Sequence, residues 1–169
     1  MALPNEILFY ASIGRITVAW ANIEAGLDMV IDLIHRHLGG GRVDKERPRA
    51  LQRKLSYLKD YITLIGLDSE AAKPYRTLLT QIKIQSEFRH DIVHGFITDM
   101  AEETGQAQMI RFLHAGDRLN RKHVTVNIDI LIKAAREADA LAGQTLTLTS
   151  KLCDEILALY ELAEQQTRR

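Results

Sequence analysis

The residues best suited to chemistry lie in one short segment, Glu87–Gly95, which reads Glu-Phe-Arg-His-Asp-Ile-Val-His-Gly. Arg89 offers a permanently charged, forked donor that suits a phosphodiester. His94, five residues later, carries an imidazole, the side chain that exchanges protons near neutral pH. It can therefore pass a proton to or from a ribose hydroxyl or a leaving oxygen. Together these two side chains have the chemistry to cleave RNA without a metal, with the 2′-hydroxyl as the internal nucleophile.

The spacing of these two residues restricts how they can meet. Five residues on an ideal α-helix rotate through about 500°, which leaves Arg89 and His94 about 140° apart. They cannot share one narrow stripe unless the helix loosens at Gly95. A cleft between two subunits would let both side chains reach one phosphate, so the spacing favours a site in a homodimer. We expect His90, next to Arg89, to orient the phosphate or to polarise the site.

Other roles for these residues stay open at this stage. Arg89 can pair with a buried carboxylate, for which Glu24 is the obvious candidate, and His94 can be favoured by the macrodipole at a helix C-terminus. His90 and His94 also stand four residues apart, as in two-histidine zinc or nickel sites. No cysteine or third histidine is placed to complete such a set. We therefore expect neither a metal nor another cofactor.

A long helix over about residues 5–38 is the first element that must position this segment. Its apolar residues recur at steps of three and four, which is the period of one helical face. They are Ile13, Ile16, Trp20, Ile23, Leu27, Val30 and Ile34. Asn5 is expected to cap the helix, and Gly39–Gly41 to end it.

Three further helices and a β-hairpin are expected after it. A second helix is predicted over about residues 44–66, with Pro48 in its first turn. A third begins at 68, 69 or 74 and runs to Gly95. From Phe96 the apolar pattern alternates on both sides of residues 102–105, which predicts a hairpin, then a polar loop over 117–122 and a short strand over 123–126. Asn127 is expected to cap a last long helix that reaches Leu159.

This pattern resembles the HEPN-like superfamily of four-helix bundles, which bear an Arg-x4–6-His motif. Arg89 and His94 fit the motif, His90 matches the polar residue that usually follows the arginine, and Gly95 matches the small residue after the histidine. The long first helix with Trp20–Glu24 and the order of helices also agree. The resemblance implies an all-α, antiparallel four-helix bundle as a single domain over residues 1–169. A small β-hairpin insertion at about 96–126 would lie between helices three and four.

The resemblance also implies a function. Active members of the superfamily are metal-independent endoribonucleases, often toxins or defence proteins, and they typically dimerise so that two motifs face one cleft. We therefore expect Arg89 to hold and neutralise the scissile phosphate and His94 to act as general acid or base. The alternative is a non-catalytic module that binds RNA or a cognate protein partner through the same cleft.

Composition is consistent with either function. The chain has 169 residues, 22 Lys+Arg against 22 Asp+Glu, and one cysteine. This length suits one domain, and a single cysteine suits a reducing compartment. The N-terminus lacks a basic leader region and no apolar run approaches the ~20 residues of a membrane span, so we expect a cytoplasmic protein without membrane contact. Basic clusters at 42–54 and 118–123 can neutralise phosphates, whereas aromatic residues are sparse at 6% and predict no stacking platform for bases.

Overall fold

The computed structural model describes residues 4–67, 69–115 and 118–167, with side chains for all of these except 114, 115, 118 and 155–167. Two residues of the expected elements lie outside this set: residue 68 at the start of the third helix and residue 117 in the polar loop. The elements in chain order are α1 (Asn5–His37), a 3-10 helix (Gly40–Arg42), α2 (Leu51–Leu64), α3 (Ser69–Val93), β1 (Phe96–Ala101), β2 (Gln106–Ala115), β3 (Arg118–Asn127) and α4 (Ile128–Thr167). None of the described helices is both long and apolar enough to cross a lipid bilayer.

The expected fold class is wrong in its β content. The strands form a three-stranded antiparallel sheet in the order β1-β2-β3, so the fold is neither all-α nor built with a two-stranded hairpin. Pairing of β2 with β3 runs without interruption from Gln106↔Asn127 to Ala115↔Arg118. The stretch 118–122, expected as a polar loop, is therefore part of a strand. Because most of its residues are polar, this stretch lacks the apolar–polar alternation that marks a strand. It is nevertheless paired with β2 through backbone hydrogen bonds.

The chain divides into two compact units. Unit 1 comprises Met1–Ala21 and Ile84–Ala140, and unit 2 comprises Asn22–Lys83 and Leu141–Arg169. Three helices, α1, α3 and α4, therefore each contribute one part to each unit. The whole sheet belongs to unit 1, as does the segment 87–95 with its candidate residues.

The core of unit 1 takes apolar side chains from α1, α3, the sheet and α4. Ile16 and Trp20, from the predicted stripe of α1, are buried, as are Ala107, Met109 and Val126 on one face of the sheet. Further buried residues of this core are Phe9, Ala19, Ile92, Ile128, Leu131, Ala135 and Ala138. Burying a large apolar side chain of this kind contributes about 1.5–3 kcal/mol. The stripe predicted for α1 is thus confirmed for this unit.

The N-terminus of α1 is capped from a distant turn, and the expected cap by Asn5 is wrong. Asn5 is the first residue of the helix, and the carboxylate of Glu102 accepts the N–H groups of Asn5 at 2.8 Å and Glu6 at 3.2 Å. The Asn5 amide donates in return to the Glu102 carbonyl oxygen at 2.7 Å. The β1–β2 turn, which contains Gly105 at φ 62°, holds Glu102 in place. An anion at this end also suits the helix dipole.

In unit 2 the second helix starts later than expected, at Leu51 instead of near Asp44. The Asp44 carboxylate accepts the N–H of Glu46 at 3.1 Å and a guanidinium hydrogen bond from Arg53 at 2.6 Å, which makes a local turn. Such side-chain bonds to the nearby backbone compete with helix formation. The end of α2 agrees with the prediction, because Gly66 adopts φ 64° two residues after Leu64.

The start of α4 is confirmed. The Asn127 side-chain oxygen accepts the N–H of Asp129 at 2.8 Å, as an N-cap does. The helix then continues through Gly143 to Thr167. The side chain of Leu159, which the predicted helix was expected to reach, lies outside the described set.

Candidate functional site

The end of α3 positions the candidate residues. Val93 is the last helical residue, although the His94 N–H still donates to the His90 carbonyl oxygen at 3.2 Å. A Cβ on Gly95 would lie 2.4 Å from the carbonyl oxygen of Asp91 and 2.8 Å from Cε of Met109. Only glycine can therefore follow His94 without displacing the backbone where the chain leaves α3 for β1.

Arg89 and His94 meet in the same chain. Nη1 of Arg89 lies 3.4 Å from Nε2 of His94. A guanidinium can only donate, so Nε2 is the acceptor in this contact. The helix ends before His94, so the 140° separation of an ideal helix no longer applies. The helix thus loosens before Gly95, as Arg89 and His94 of one chain need in order to meet. The spacing of the two residues does not by itself require a second subunit.

His90 lies against His94. The two imidazole rings stack with centroids 5.4 Å apart and an interplanar angle of 27°. Partial burial lowers the pKa of His90 below its ordinary value, and the nearby charges of Arg89 and Arg111 lower it further. His90 is therefore neutral at neutral pH, when its ring can donate one N–H to an anion.

Asp91, to which sequence reasoning assigned no role, binds two cations from the sheet. Its buried carboxylate accepts hydrogen bonds from Arg111 Nη1 at 2.8 Å and from Lys122 Nζ. Burial opposes ionisation, but these bonds outweigh it and hold the pKa of Asp91 below its ordinary value. Arg111 and Lys122 are a cross-strand pair in the register of β2 and β3. The available sequence clue was Arg111 itself, which shares one face of the strand with the apolar Met109 and Leu113 and alternates with Ile110 and Phe112.

Positive charge exceeds negative charge in this part of unit 1. Arg89, Arg111 and Lys122 are permanent cations at neutral pH, whereas the buried anion among them is Asp91. Glu87, on the exposed side of α3, acts on His90 in the opposite sense. An excess of cations around a partly exposed histidine pair makes the local electrostatic potential positive.

A cavity of about 260 Å³ opens beside Arg89. Ile16 and Trp20 of α1 line it, and α3 contributes Phe88 and Arg89. Two further lining residues, Ile84 of α3 and Ile130 of α4, are 68% and 52% exposed. The cavity thus combines apolar walls with a cationic group from the candidate pair.

The described residues contain no group of three or more histidine, cysteine or acidic side chains placed to hold one metal ion. The pairing of Arg89 with Glu24 stays a prediction. So does the absence of a cofactor.

Comparison with known proteins finds no relative: no protein-family model, curated protein or solved structure matches this chain. The resemblance to the HEPN-like superfamily therefore rests on the segment 87–95 and on the order of the helices. Function has to be argued from the geometry at the end of α3.

Proposed function

We propose that this protein is a cytoplasmic, metal-independent endoribonuclease of HEPN-like type that works as a homodimer. The observation that carries the proposal is the 3.4 Å approach of Arg89 Nη1 to His94 Nε2 at the exposed end of α3. It joins a phosphate-binding fork and an imidazole within reach of one ligand atom.

The reaction begins with the scissile phosphate bound to the Arg89 guanidinium. His94 Nε2 then takes the proton of the 2′-hydroxyl, and the 2′-oxygen attacks the phosphorus. The bond to the 5′-oxygen breaks, which leaves a 2′,3′-cyclic phosphate on one fragment. A proton from an imidazolium completes the 5′-hydroxyl of the other fragment. Arg89 neutralises the charge that develops on the phosphate oxygens.

The acid and the base must stand on opposite sides of the phosphorus, because the attacking and leaving oxygens lie roughly in line. One imidazole does not reach both positions, so a second His94 from a partner subunit would supply the acid. Exposed Ile84 and Ile130 beside the Arg89 cavity support such an assembly, because a second copy would remove them from water. His90, neutral at neutral pH, would orient the phosphate through one N–H.

The cations on Asp91 support the same function. Arg111 and Lys122 are held by a buried carboxylate, which fixes their positions before substrate arrives. A positive surface of this kind raises the local concentration of an anionic chain such as RNA. The same surface would serve a binding module, so turnover decides between the two functions.

The test is cleavage of a mixed RNA pool by the wild type and by His94→Ala, both with excess chelator. We expect fragments ending in a 2′,3′-cyclic phosphate from the wild type and a rate lowered about 10²–10⁴-fold in the variant. His37→Ala, at the exposed end of α1, is the matched control and should cut like the wild type. An RNA substrate with 2′-O-methyl groups lacks the nucleophile, so neither the wild type nor His37→Ala should cleave it.

Three results would contradict the proposal. Equal cutting by the wild type and by His94→Ala would assign the activity to a contaminant. RNA that is bound and never cut would identify a non-catalytic module. If light scattering showed that the protein is a monomer while it cleaves RNA, the proposed dimeric site would be contradicted.

A further inference from the structure

The cavity beside Arg89 has apolar and aromatic walls. Ile16 and Trp20 of α1, Phe88 of α3 and Ala138 of α4 line it, and all of them belong to unit 1. Three of these side chains are buried, and that of Phe88 is half-buried. An apolar cavity of about 150 Å³ holds a benzene ring. The volume of about 260 Å³ is therefore sufficient for a larger flat ring system, such as a nucleobase.

The polar groups of this cavity come from α3 and α4. Gln85 of α3 is half-buried, and its amide makes no hydrogen bond with any residue that the structure describes. Lys133 and Glu137 of α4 also line the cavity, but both are exposed and their charged atoms lie 3.8 Å apart. Because these two charges offset each other, the neutral amide is the group that can recognise a ligand by hydrogen bonds. An amide offers both a donor and an acceptor.

The position of Arg89 indicates what the flat ring is attached to. Arg89 lines the cavity, and it is also the residue to which the proposed function assigns the scissile phosphate. Gln85 and Arg89 stand four residues apart, so they lie on the same face of α3. A ligand that fills the cavity and reaches the guanidinium therefore combines a neutral flat ring with a phosphate, which is the composition of a nucleotide.

We propose that this cavity binds the base of the nucleotide whose phosphate Arg89 holds, with the ring between the apolar walls and its polar edge at the Gln85 amide. The inference rests on the proposed function for the choice of a nucleotide as the ligand. Proteins that recognise the sequence of RNA bind unstacked bases against apolar surfaces and read their edges by hydrogen bonds. Adenine is the base expected to bind best, because its N6 and N7 match the acceptor and the donor of an amide.

Trp20 reports on the cavity directly, because it is the single tryptophan of the chain and lines the walls. The probe is adenosine 3′-monophosphate, which carries a base and a phosphate but no phosphodiester to cleave. We expect it to cause a saturable change in the emission of Trp20 in the wild type. Ribose 5-phosphate, which lacks the base, should leave the emission unchanged at the same concentrations.

Two pairs of variants locate the binding. Gln85→Met keeps the length of the side chain and removes the amide, so we expect the affinity for the nucleotide to fall about tenfold. Gln81→Met, one turn earlier on α3 and exposed, is the matched control and should bind like the wild type. Ala134→Leu fills the cavity and should abolish the change in emission, whereas Ala140→Leu, at an exposed position of α4, should not. Thermal melting of each variant checks that the fold is intact.

RNA cleavage gives a second readout of the same site. In a mixed RNA pool, the wild type should cut preferentially beside adenosine. Gln85→Met should lose this preference and still cut RNA, because the Arg89–His94 pair is unchanged. Gln81→Met should keep the preference of the wild type.

A change in emission that ribose 5-phosphate reproduces would overturn the base site. So would an affinity for the nucleotide that Gln85→Met leaves unchanged. A change in Trp20 emission on dilution of the protein without nucleotide would assign the cavity to a second copy of the chain instead. Failure of this inference is distinct from failure of the proposed function. Nucleotide that binds in the cavity of a protein that never cuts RNA contradicts the nuclease alone, and cutting without any effect of Gln85→Met contradicts the base site alone.

Discussion

Nη1 of Arg89 donates toward Nε2 of His94 over 3.4 Å, across the point where α3 ends. Because a guanidinium can only donate, Nε2 is the acceptor in this contact. A charged donor and an acceptor of the same chain are thus neighbours at the end of α3.

Arg89→Lys should lower RNA cleavage about 10²-fold or more, because the ammonium keeps the charge but loses the fork that binds a phosphate and contacts His94. The measurement is the initial rate of cleavage in excess chelator. Arg36→Lys, which alters an exposed ion pair with Asp32 in α1, is the matched control and should leave the rate unchanged. A lysine variant with the wild-type rate would show that charge alone suffices.

Asp91→Asn should lower the free energy of unfolding by roughly 2–4 kcal/mol, because it leaves Arg111 and Lys122 without their buried anion. Asp99→Asn, an exposed change on β1, should stay within about 0.5 kcal/mol of the wild type. Urea denaturation at pH 7 measures both.

Acidic pH should reduce the difference in the free energy of unfolding between the wild type and Asp91→Asn. Since the pKa of Asp91 in the folded protein lies below its ordinary value of 3.8, its contribution is fully present above 3.8. It is lost as the pH falls through the lowered pKa, where folded and unfolded chains are both protonated. A difference between wild type and Asp91→Asn that persists at the lowest pH would contradict this assignment.

His90→Gln should flatten the dependence of stability on mildly acidic pH. The pKa of His90 in the folded protein lies below its ordinary value of 6.5, so the unfolded chain binds its proton more readily. The wild type should therefore lose stability as the pH falls from above 6.5 toward the lowered pKa. Urea midpoints at several pH values from 8 to 5 test this, with His37→Gln as control. Parallel curves for wild type and His90→Gln would argue against the burial and the cationic neighbours assigned to this ring.

Gly95→Ala should destabilise the protein by about 1–3 kcal/mol and reduce cleavage, because its Cβ would meet the Asp91 carbonyl oxygen at 2.4 Å. Gly14→Ala is the control, since a Cβ there meets nothing within 4 Å and alanine favours the helix. Thermal melting together with cleavage rates measures both effects. If Gly95→Ala and Gly14→Ala had the same melting temperature, a glycine would not be required where the chain turns from α3 into β1.

Local patterns predicted much of the helical structure correctly. The stripe through Ile16 and Trp20 is buried in α1, and the side chain of Asn127 caps α4. The alternation after Phe96 marked the first two strands. These features follow from helical and strand periods and from side-chain bonds to the nearby backbone, which residues close in the chain determine by themselves.

Tertiary structure decided the features that depend on residues far apart in the chain. Glu102 caps a helix 97 residues away, although Asn5 was the better local candidate. The register of β2 and β3 brings Arg111 and Lys122 to Asp91 and sets Arg121 over Phe112. The sequence by itself determined which side chains can bind an anion or exchange a proton. Pairing of strands and the end of α3 at Val93 decided which of them meet, because hydrogen bonds and ion pairs require atoms within about 3 Å and no spacing along the chain specifies that distance.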